Sequence, residues 1–147
     1  MGRGAGQRGR RWRGGIAAAL GVLCLARPAL AQDGGGPAIA VPSGLEVHWI
    51  DTITDTQGPE GLTLRFRFLA PAIGGRQPLD PEMASVDMDA LCNGFALPRI
   101  SNLGPQPAQV VISLSDRVVP FGETDEEAVQ FFQAYSIADG ACVWEMF

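Results

Sequence analysis

The sequence of 147 residues contains no lysine and a single histidine, His48. A Ser-His-Asp triad or a Cys-His pair would have to use this one histidine as its base. The G-x-S-x-G motif, which places a catalytic serine on a sharp turn, is also missing. His48 falls within an alternating strand pattern, so we interpret it as an ordinary surface residue and expect Arg67 on the next strand as its neighbour.

The sequence also lacks zinc-ligand spacing, a phosphate-binding glycine loop and a dinucleotide-binding fingerprint. It does contain a run of acidic residues at Glu123, Asp125, Glu126 and Glu127. The spacing of this run does not match that of a calcium-binding loop, and the solvated first turn of a helix explains it better. We therefore expect no cofactor and no metal site, and keep cation binding as the weakest hypothesis.

Residues 1–31 show the three parts of a secretory signal peptide. Residues 1–15 carry five arginines and no acid, residues 16–26 are apolar, and Ala29-Leu30-Ala31 is a small-x-small cleavage site. The apolar run is shorter than the roughly 20 residues that span a bilayer, although an uncleaved anchor is the alternative. We predict cleavage near Ala31-Gln32, then a periplasmic or secreted location with no stable membrane anchor. The sequence leaves both Sec and twin-arginine export open.

Basic charge becomes scarce once that segment is removed. Cleavage takes away six of the eleven basic residues and leaves five arginines against sixteen acids, a net charge of −11. Nucleic-acid binding needs basic residues that neutralise phosphates, and binding to anionic membranes has a similar need. The balance therefore excludes both classes and indicates a solvated acidic surface, with binding of a cation or a basic partner as the alternative.

Two of the three cysteines remain after cleavage, Cys92 and Cys142. Disulfides persist in the compartments that exported proteins reach, and a zinc site would need more ligands than these two and His48 supply. We predict a Cys92–Cys142 disulfide. For a closed loop of this length the chain-entropy model gives roughly 4 kcal/mol of stabilisation.

Two alternating stretches, 45–53 and 62–70, predict an antiparallel hairpin around the turn-rich residues between them. If the two strands pair symmetrically, Trp49 faces Phe66 in the core. The apolar face of the first stretch is then formed by Leu45, Val47, Trp49 and Ile53.

Asp80-Pro81-Glu82 predicts the start of the main helix, with Asp80 as N-cap and Pro81 at the first helical position. The helix should extend to about Phe95. Its apolar residues form a wide arc, so we expect it to lie deep on a sheet. On the helical wheel Met83, Val86, Ala90 and Leu97 cluster, and the same arc is extended by Met88, Leu91, Cys92 and Phe95.

The C-terminal half predicts the remaining strands. Residues 109–114 are the most uniformly apolar and favour the interior of the sheet. Residues 124–127 match a capping box and predict a short helix, while 133–137 and 142–147 flank a turn. We predict an α+β fold, an antiparallel sheet of about five strands in β-β-α-β-β-β order with one main helix packed across one face. The predicted organisation is a signal peptide (1–31), a flexible leader (32–40) and a single domain (41–147).

Four segments carry a resemblance to known proteins. They are Arg65–Pro71 (RFRFLAP), Val110–Gly122 (VVISLSDRVVPFG), Phe131-Phe132-x-Ala134-Tyr135 and Cys142-x-Trp144-Glu145-x-Phe147. Together they resemble a family of short, signal-bearing alphaproteobacterial proteins of uncharacterised function. The resemblance implies an exported protein with one small disulfide-containing domain, and it supplies no catalytic residues.

Two places are candidate binding sites. Asp87 falls inside the apolar arc of the helix, where a carboxylate must be paired, hydrogen-bonded or protonated. It is either a site acid in a pocket between helix and sheet or, as we favour, a residue at the helix edge or in an ion pair with an arginine. Ser113, Ser115, Asp116 and Arg117 gather at the end of the predicted central strand, where they either form a site or cap the backbone of the next turn.

The absence of a nucleophile, base and orienting residue in one set favours a binding or accessory module without catalytic activity. We expect a protein partner in the periplasm and no nucleic acid. The alternative is a small carboxylate-dependent hydrolase or lyase that uses Asp87 or Asp116 as its acid or base, and it predicts a pocket that reaches Asp87.

Overall fold

The computed structural model of the protein describes residues 36–58 and 61–146. The predicted signal peptide and the predicted leader up to residue 35 lie outside the described residues. No helix in the described ranges combines the length and apolar character needed to cross a membrane. At the end of the predicted leader, the Ile39 N–H donates a hydrogen bond of 2.8 Å to the carbonyl of Val47.

The described residues form five strands and one α-helix, in the predicted order. These elements are β1 (His48–Gly58), β2 (Gly61–Leu69), α1 (Pro81–Leu91), β3 (Gln109–Ser115), β4 (Gln130–Ala138) and β5 (Ala141–Trp144). The strands lie side by side in chain order, so β3 is central as predicted. The α+β fold with one main helix and a five-stranded sheet is confirmed.

One strand pairing differs from the all-antiparallel sheet that we predicted. The β1–β2, β3–β4 and β4–β5 pairs are antiparallel, whereas β2 and β3 run parallel. Parallel neighbours require a crossover of a dozen or more residues. Here the chain leaves β2 at Leu69, passes through α1 and re-enters the sheet at Gln109. The sheet is therefore mixed.

The β1–β2 register also differs from the symmetric pairing. Trp49 lies opposite Phe68, and the register shifts between Trp49 and Asp51. A residue inserted in this way reverses the faces of all residues beyond it. Trp49 and Ile53 therefore lie on opposite faces of β1, and the prediction that both belong to one buried face is wrong. Trp49 is 38% exposed and its ring lies 6.0 Å from that of Phe95.

The observed register also gives His48 a different neighbour from the predicted one. This residue lies opposite Leu69, so the prediction that it faces Arg67 is wrong. One ring nitrogen, Nδ1, lies 2.9 Å from the carbonyl oxygen of Gly36, and Nε2 lies 2.8 Å from Oε1 of Glu46.

The helix begins where the sequence predicts. The Asp80 carboxylate accepts a hydrogen bond of 2.8 Å from the Glu82 N–H, and Pro81 occupies the first turn. The helical backbone continues beyond α1 as a π-helical turn (Cys92–Ala96) and a 3-10 turn (Leu97–Arg99).

The predicted apolar arc of the helix is correct in part, because Met88 and Leu91 are buried as predicted. Met83 and Val86 are exposed, whereas the buried side chains are Ala84, Asp87, Met88 and Leu91. Because apolar residues occur nearly all around this segment, hydrophobicity does not fix which stripe is buried. The π-helical turn changes the angular spacing after Leu91 and moves later residues out of the α-helical phase.

The core lies between α1 and one face of the sheet. It contains the fully buried side chains of Phe68, Val110, Ile112, Leu114 and Tyr135 together with Leu91 and Cys92. Cys92 and Cys142 form the predicted disulfide, with an S–S distance of 2.07 Å. The Cys142 N–H also donates to Oδ1 of Asn93 at 3.0 Å, so the end of the helix holds β5 by two links.

Two predictions for the C-terminal part have opposite outcomes. The turn predicted at Ala138-Asp139-Gly140 is confirmed, but it is shorter, because Ala138 still pairs with Ala141. Asp139 and Gly140, with φ values of 51° and 74°, join β4 to β5 in a two-residue turn. Residues 124–127 form a turn and not the predicted helix. The Glu127 N–H donates to Oδ1 of Asp125 as in a helix start, but the chain is then drawn into the sheet because Val129 pairs with Asp116.

Candidate functional site

Asp87 is fully buried, but it faces a turn of the chain and not an arginine. Its Oδ1 accepts the backbone N–H of Ser43 at 2.8 Å, and its Oδ2 accepts the Ser43 hydroxyl at 2.5 Å. Asp87 lines none of the three cavities described below. The contacts of this carboxylate are structural.

Asp116 and Arg117 organise the loop that leaves β3. Oδ1 of Asp116 accepts the Val129 N–H at 3.1 Å and lies 3.1 Å from Nε of Arg117. The hydrogen bond with Asp116, more than the charges of Asp125 and Glu127, raises the pKa of Arg117 above its ordinary value. Asp116 caps a backbone N–H and Arg117 pairs with acidic side chains, and neither residue lines any of the three cavities considered for binding. This favours the structural interpretation of these two residues.

Ser113 and Ser115 do line a cavity. Because they alternate with the core residues of β3, they lie on the sheet face opposite α1, which we call the outer face. A cavity of about 200 Å³ separates this face from the loop at residues 119–123, and we call it the outer cleft. Its polar lining residues are Arg65, Arg67, Ser113, Ser115, Glu123 and Gln130.

The two arginines of the outer cleft have different environments. Arg67 donates to Oδ2 of Asp51 at 3.0 Å and to the carbonyl oxygen of Val119. Arg65 has no hydrogen bond or ion pair with a residue in the described ranges, and its Nε is buried without a partner. Its guanidinium carbon lies 5.9 Å from the centre of the Phe121 ring.

A second cavity lies at the edge of the sheet. β5 pairs with Tyr135–Ala138 of β4, and the Glu145 N–H donates to the Ala134 carbonyl. In the described part of the chain no strand lies beside residues 130–133 on this side. We call these residues the open edge of β4.

The open edge is bordered by a cavity of about 690 Å³ and an adjoining one of about 360 Å³, which share Pro81, Gln133 and Trp144. We call the two together the edge groove. Phe132, Trp144 and Met146 in its lining are 53%, 51% and 80% exposed. Arg65 and Phe132 line both the edge groove and the outer cleft.

A hydrogen-bond network supports the helix side of the groove. The Tyr135 hydroxyl oxygen lies 2.7 Å from Oδ1 of Asp89 and 2.7 Å from Oε1 of Gln133, and Nε2 of Gln133 lies 2.6 Å from the Ser85 hydroxyl. Burial, followed by the hydrogen bond to Asp89 and its charge, raises the pKa of Tyr135 far above its ordinary value. The hydroxyl therefore stays protonated and donates its one hydrogen within the network.

The described residues contain no group of three or more His, Cys, Asp or Glu side chains that could hold a metal ion. In the predicted acidic run, Asp125 and Glu127 lie 3.8 and 3.7 Å from Arg117. These two residues of the run thus form ion pairs with Arg117 at the end of β3.

Sequence reasoning missed Arg65, Phe132 and Trp144. The signal for Arg65 was available, because it alternates with Phe66 and must share a strand face with Arg67. The open edge of β4 could not be predicted from the sequence, because it depends on where β5 ends relative to β4. These residues are recognised from their burial and from the pairing of the strands around them, which the composition of the sequence does not give.

These features define a small α+β protein with a disulfide, a polar cleft on its outer face and an apolar groove at an open sheet edge. Residues 22–147 match the model of a family of unknown function (DUF6497), and the chain belongs to that family. No curated protein and no solved structure matches the chain.

Proposed function

We propose that the protein is an exported binding module without catalytic activity, and that it binds an extended segment of a partner protein along the open edge of β4. The observation that carries this proposal is that no strand of the described residues pairs with the open edge of β4, residues 130–133, and that a cavity of about 690 Å³ borders this edge. The disulfide supports export, because such bonds persist in oxidising compartments.

An open edge offers backbone groups to an added strand. The Ala134 carbonyl faces β5, so alternation along the strand places the N–H and C=O of Phe132 on the same side. An added strand would pair with these groups, and its side chains would point alternately to the two faces of the sheet. The edge groove has a wall on both faces, with Val111 on the outer face and Ser85 on the helix side.

The lining of the groove indicates the chemistry of the segment. Its exposed aromatic and thioether side chains, Phe132, Trp144 and Met146, favour apolar residues at alternate positions. A second copy of the protein fits less well, because two mature chains of net charge −11 repel each other. The occupant that we propose is therefore an extended, partly apolar segment of another protein.

The side chains considered as catalytic acids or bases make structural contacts. Asp87 binds Ser43, Asp116 binds the Val129 N–H, and the His48 ring contacts Gly36 and Glu46. None of these three side chains lines the outer cleft or the edge groove. This distribution supports binding over a carboxylate-dependent hydrolase or lyase.

The test uses a phage-displayed library of random peptides, selected on the mature, oxidised protein. An enriched peptide is labelled, and its affinity is measured by fluorescence anisotropy for wild type and variants. Phe132→Pro removes the N–H of the open edge while leaving the pairing with β3 in place, so it should weaken binding at least tenfold. Phe132→Ala separates the contribution of the ring, and Leu103→Ala, at an exposed apolar position away from both cavities, is the matched control.

Thermal unfolding of each variant shows whether the fold is retained. Equal binding to wild type and folded Phe132→Pro would contradict the proposal, as would a failure to enrich any peptide. If sedimentation and amide exchange detect a stable dimer whose interface buries residues 130–133, the occupant of the open edge is a second copy of the protein and not a partner segment.

A further inference from the structure

We infer that the outer cleft is a carboxylate-binding site in which Arg65 holds the anionic group. The inference depends on the environment of Arg65 and not on binding at the open edge of β4. The carboxylate could come from a free small organic acid or from an acidic side chain of a bound peptide. Both sources share the chemistry that the cleft recognises.

The first argument is the lack of a partner for Arg65 in an acid-rich chain. Arg67 pairs with Asp51, Arg117 pairs with Asp116, and Arg99 donates to the Phe95 carbonyl. Arg65 forms no such contact within the described residues, and its buried Nε lacks an acceptor. A buried donor without an acceptor is unfavourable, and a ligand oxygen would remove this penalty.

The second argument is the polar lining beside Arg65. Ser113 is buried against the cleft, and its hydroxyl makes no hydrogen bond to a described residue. The Gln130 amide nitrogen is 3.5 Å from the Ser115 hydroxyl, which is at the limit of a hydrogen bond. A guanidinium, a hydroxyl and an amide can therefore donate to the two oxygens of one carboxylate.

Charge and size favour a single carboxylate. Asp51 already neutralises Arg67, and although Glu123 lines the cleft it forms no ion pair with Arg65 in the described residues, so the Arg65 guanidinium remains for a ligand. One planar guanidinium matches the geometry and charge of one carboxylate, whereas a phosphate dianion would be left partly uncompensated. The volume of about 200 Å³ has room for roughly six waters at about 30 Å³ each, which is enough for a small organic acid.

The apolar walls suggest the rest of the ligand. Phe121 and Phe132 line the cleft and are 55% and 53% exposed. A short hydrocarbon attached to the carboxylate would cover part of these rings and gain favourable burial. Butyrate is therefore a better probe than acetate.

The first experiment titrates butyrate, acetate and inorganic phosphate into the oxidised protein at constant ionic strength and follows the amide resonances by NMR. Butyrate should shift the resonances of Ser113 and Gln130 and bind more tightly than acetate. Phosphate should bind at least tenfold more weakly than butyrate. Arg65→Gln should abolish these shifts, while Arg76→Gln, at an exposed loop arginine outside the cleft, should bind like wild type.

The second experiment separates the two sources of the carboxylate with peptides from the same phage selection, each made with Glu and with Gln at its acidic position. A tenfold preference for Glu that disappears in Arg65→Gln assigns the site to an acidic side chain of the partner. Butyrate binding without such a preference assigns it to a small acid.

Unchanged butyrate and peptide binding in folded Arg65→Gln, or tighter binding of phosphate than of butyrate, would overturn the inference. Trp144→Ala changes the edge groove and not the outer cleft, so it should leave butyrate binding intact and keep a failure of binding at the open edge distinguishable.

Discussion

The carboxylate of Asp87 accepts both the backbone N–H and the hydroxyl of Ser43, which lies 44 residues earlier in the chain. Asp87 is fully buried in α1, and Ser43 belongs to the turn that precedes β1. A buried carboxylate without hydrogen-bond donors would be unfavourable at this position. The two hydrogen bonds from Ser43 stabilise the carboxylate, and they also hold the turn against the helix.

Asp87→Asn should therefore destabilise the fold. The amide nitrogen of asparagine would face a donor of Ser43, and one charge-assisted hydrogen bond would be lost, which costs about 1.5–3 kcal/mol. Ser43→Ala keeps the backbone donor and should cost less. Urea unfolding of both single variants and the double variant measures the coupling between the two residues. A free energy of unfolding unchanged in Asp87→Asn would contradict this account.

Tyr135 should ionise far above the ordinary tyrosine pKa of 10.0, because burial and Asp89 both favour its protonated form. It is the one tyrosine of the chain, and no lysine titrates in the same range. Near-ultraviolet absorbance of tyrosinate therefore reports this residue directly. Asp89→Asn removes the neighbouring charge and should bring the pKa part of the way down, since burial remains.

The same shift predicts how stability depends on pH. The unfolded chain releases the tyrosine proton near pH 10, whereas the folded protein keeps it, so stability is fully present below that pH and falls as the pH rises further. Tyr135→Phe should lose this dependence above pH 10. Denaturation curves at several pH values check the slope, and a rise in stability in this window would have the wrong sign.

Gly74→Ala should destabilise the protein by about 1–3 kcal/mol, the usual range for overpacking. An added Cβ would collide with the Asp116 carboxylate, which the Val129 N–H holds in place. Gly94→Ala is the matched control, because nothing lies within 4 Å of its added Cβ. In the helical backbone that replacement should be neutral or stabilise by up to about 1 kcal/mol. Equal unfolding midpoints for the two variants would argue against a fixed Asp116.

Reduction of the Cys92–Cys142 disulfide should lower the free energy of unfolding by roughly 4 kcal/mol, as expected for residues 50 positions apart in sequence. Urea unfolding with and without reductant measures the loss. The double variant Cys92→Ala, Cys142→Ala should be equally destabilised and insensitive to reductant. A wild-type protein whose midpoint does not move on complete reduction would contradict the expectation.

The local signals in the sequence predicted much of this fold. The cap at Asp80, the turn at Asp139-Gly140 and the uniformly apolar β3 depend on neighbouring residues, and each was confirmed. The phase of β1 was wrong because the register shift after Trp49 arises from pairing with β2 and has no local pattern.

The candidate site was less predictable, for the same reason. Ser113 and Ser115 were selected from their position at the end of β3, and both line the outer cleft. Asp87 was correctly singled out as unusual, but its partner Ser43 is distant in sequence and carries no charge to attract attention. Arg65 differs from Arg67 in having no acidic partner among the described residues, which depends on where Asp51 points across the strand pair.

The attachment of β5 sets how much of β4 is accessible. This short strand pairs with Tyr135–Ala138, and the disulfide and Asn93 tether it to the end of the helix. Release of β5 would uncover the rest of β4 and extend the unpaired stretch from residues 130–133 to the whole strand. The disulfide therefore limits the accessible edge of β4 to residues 130–133 and keeps Tyr135–Ala138 from pairing with the strands of other proteins.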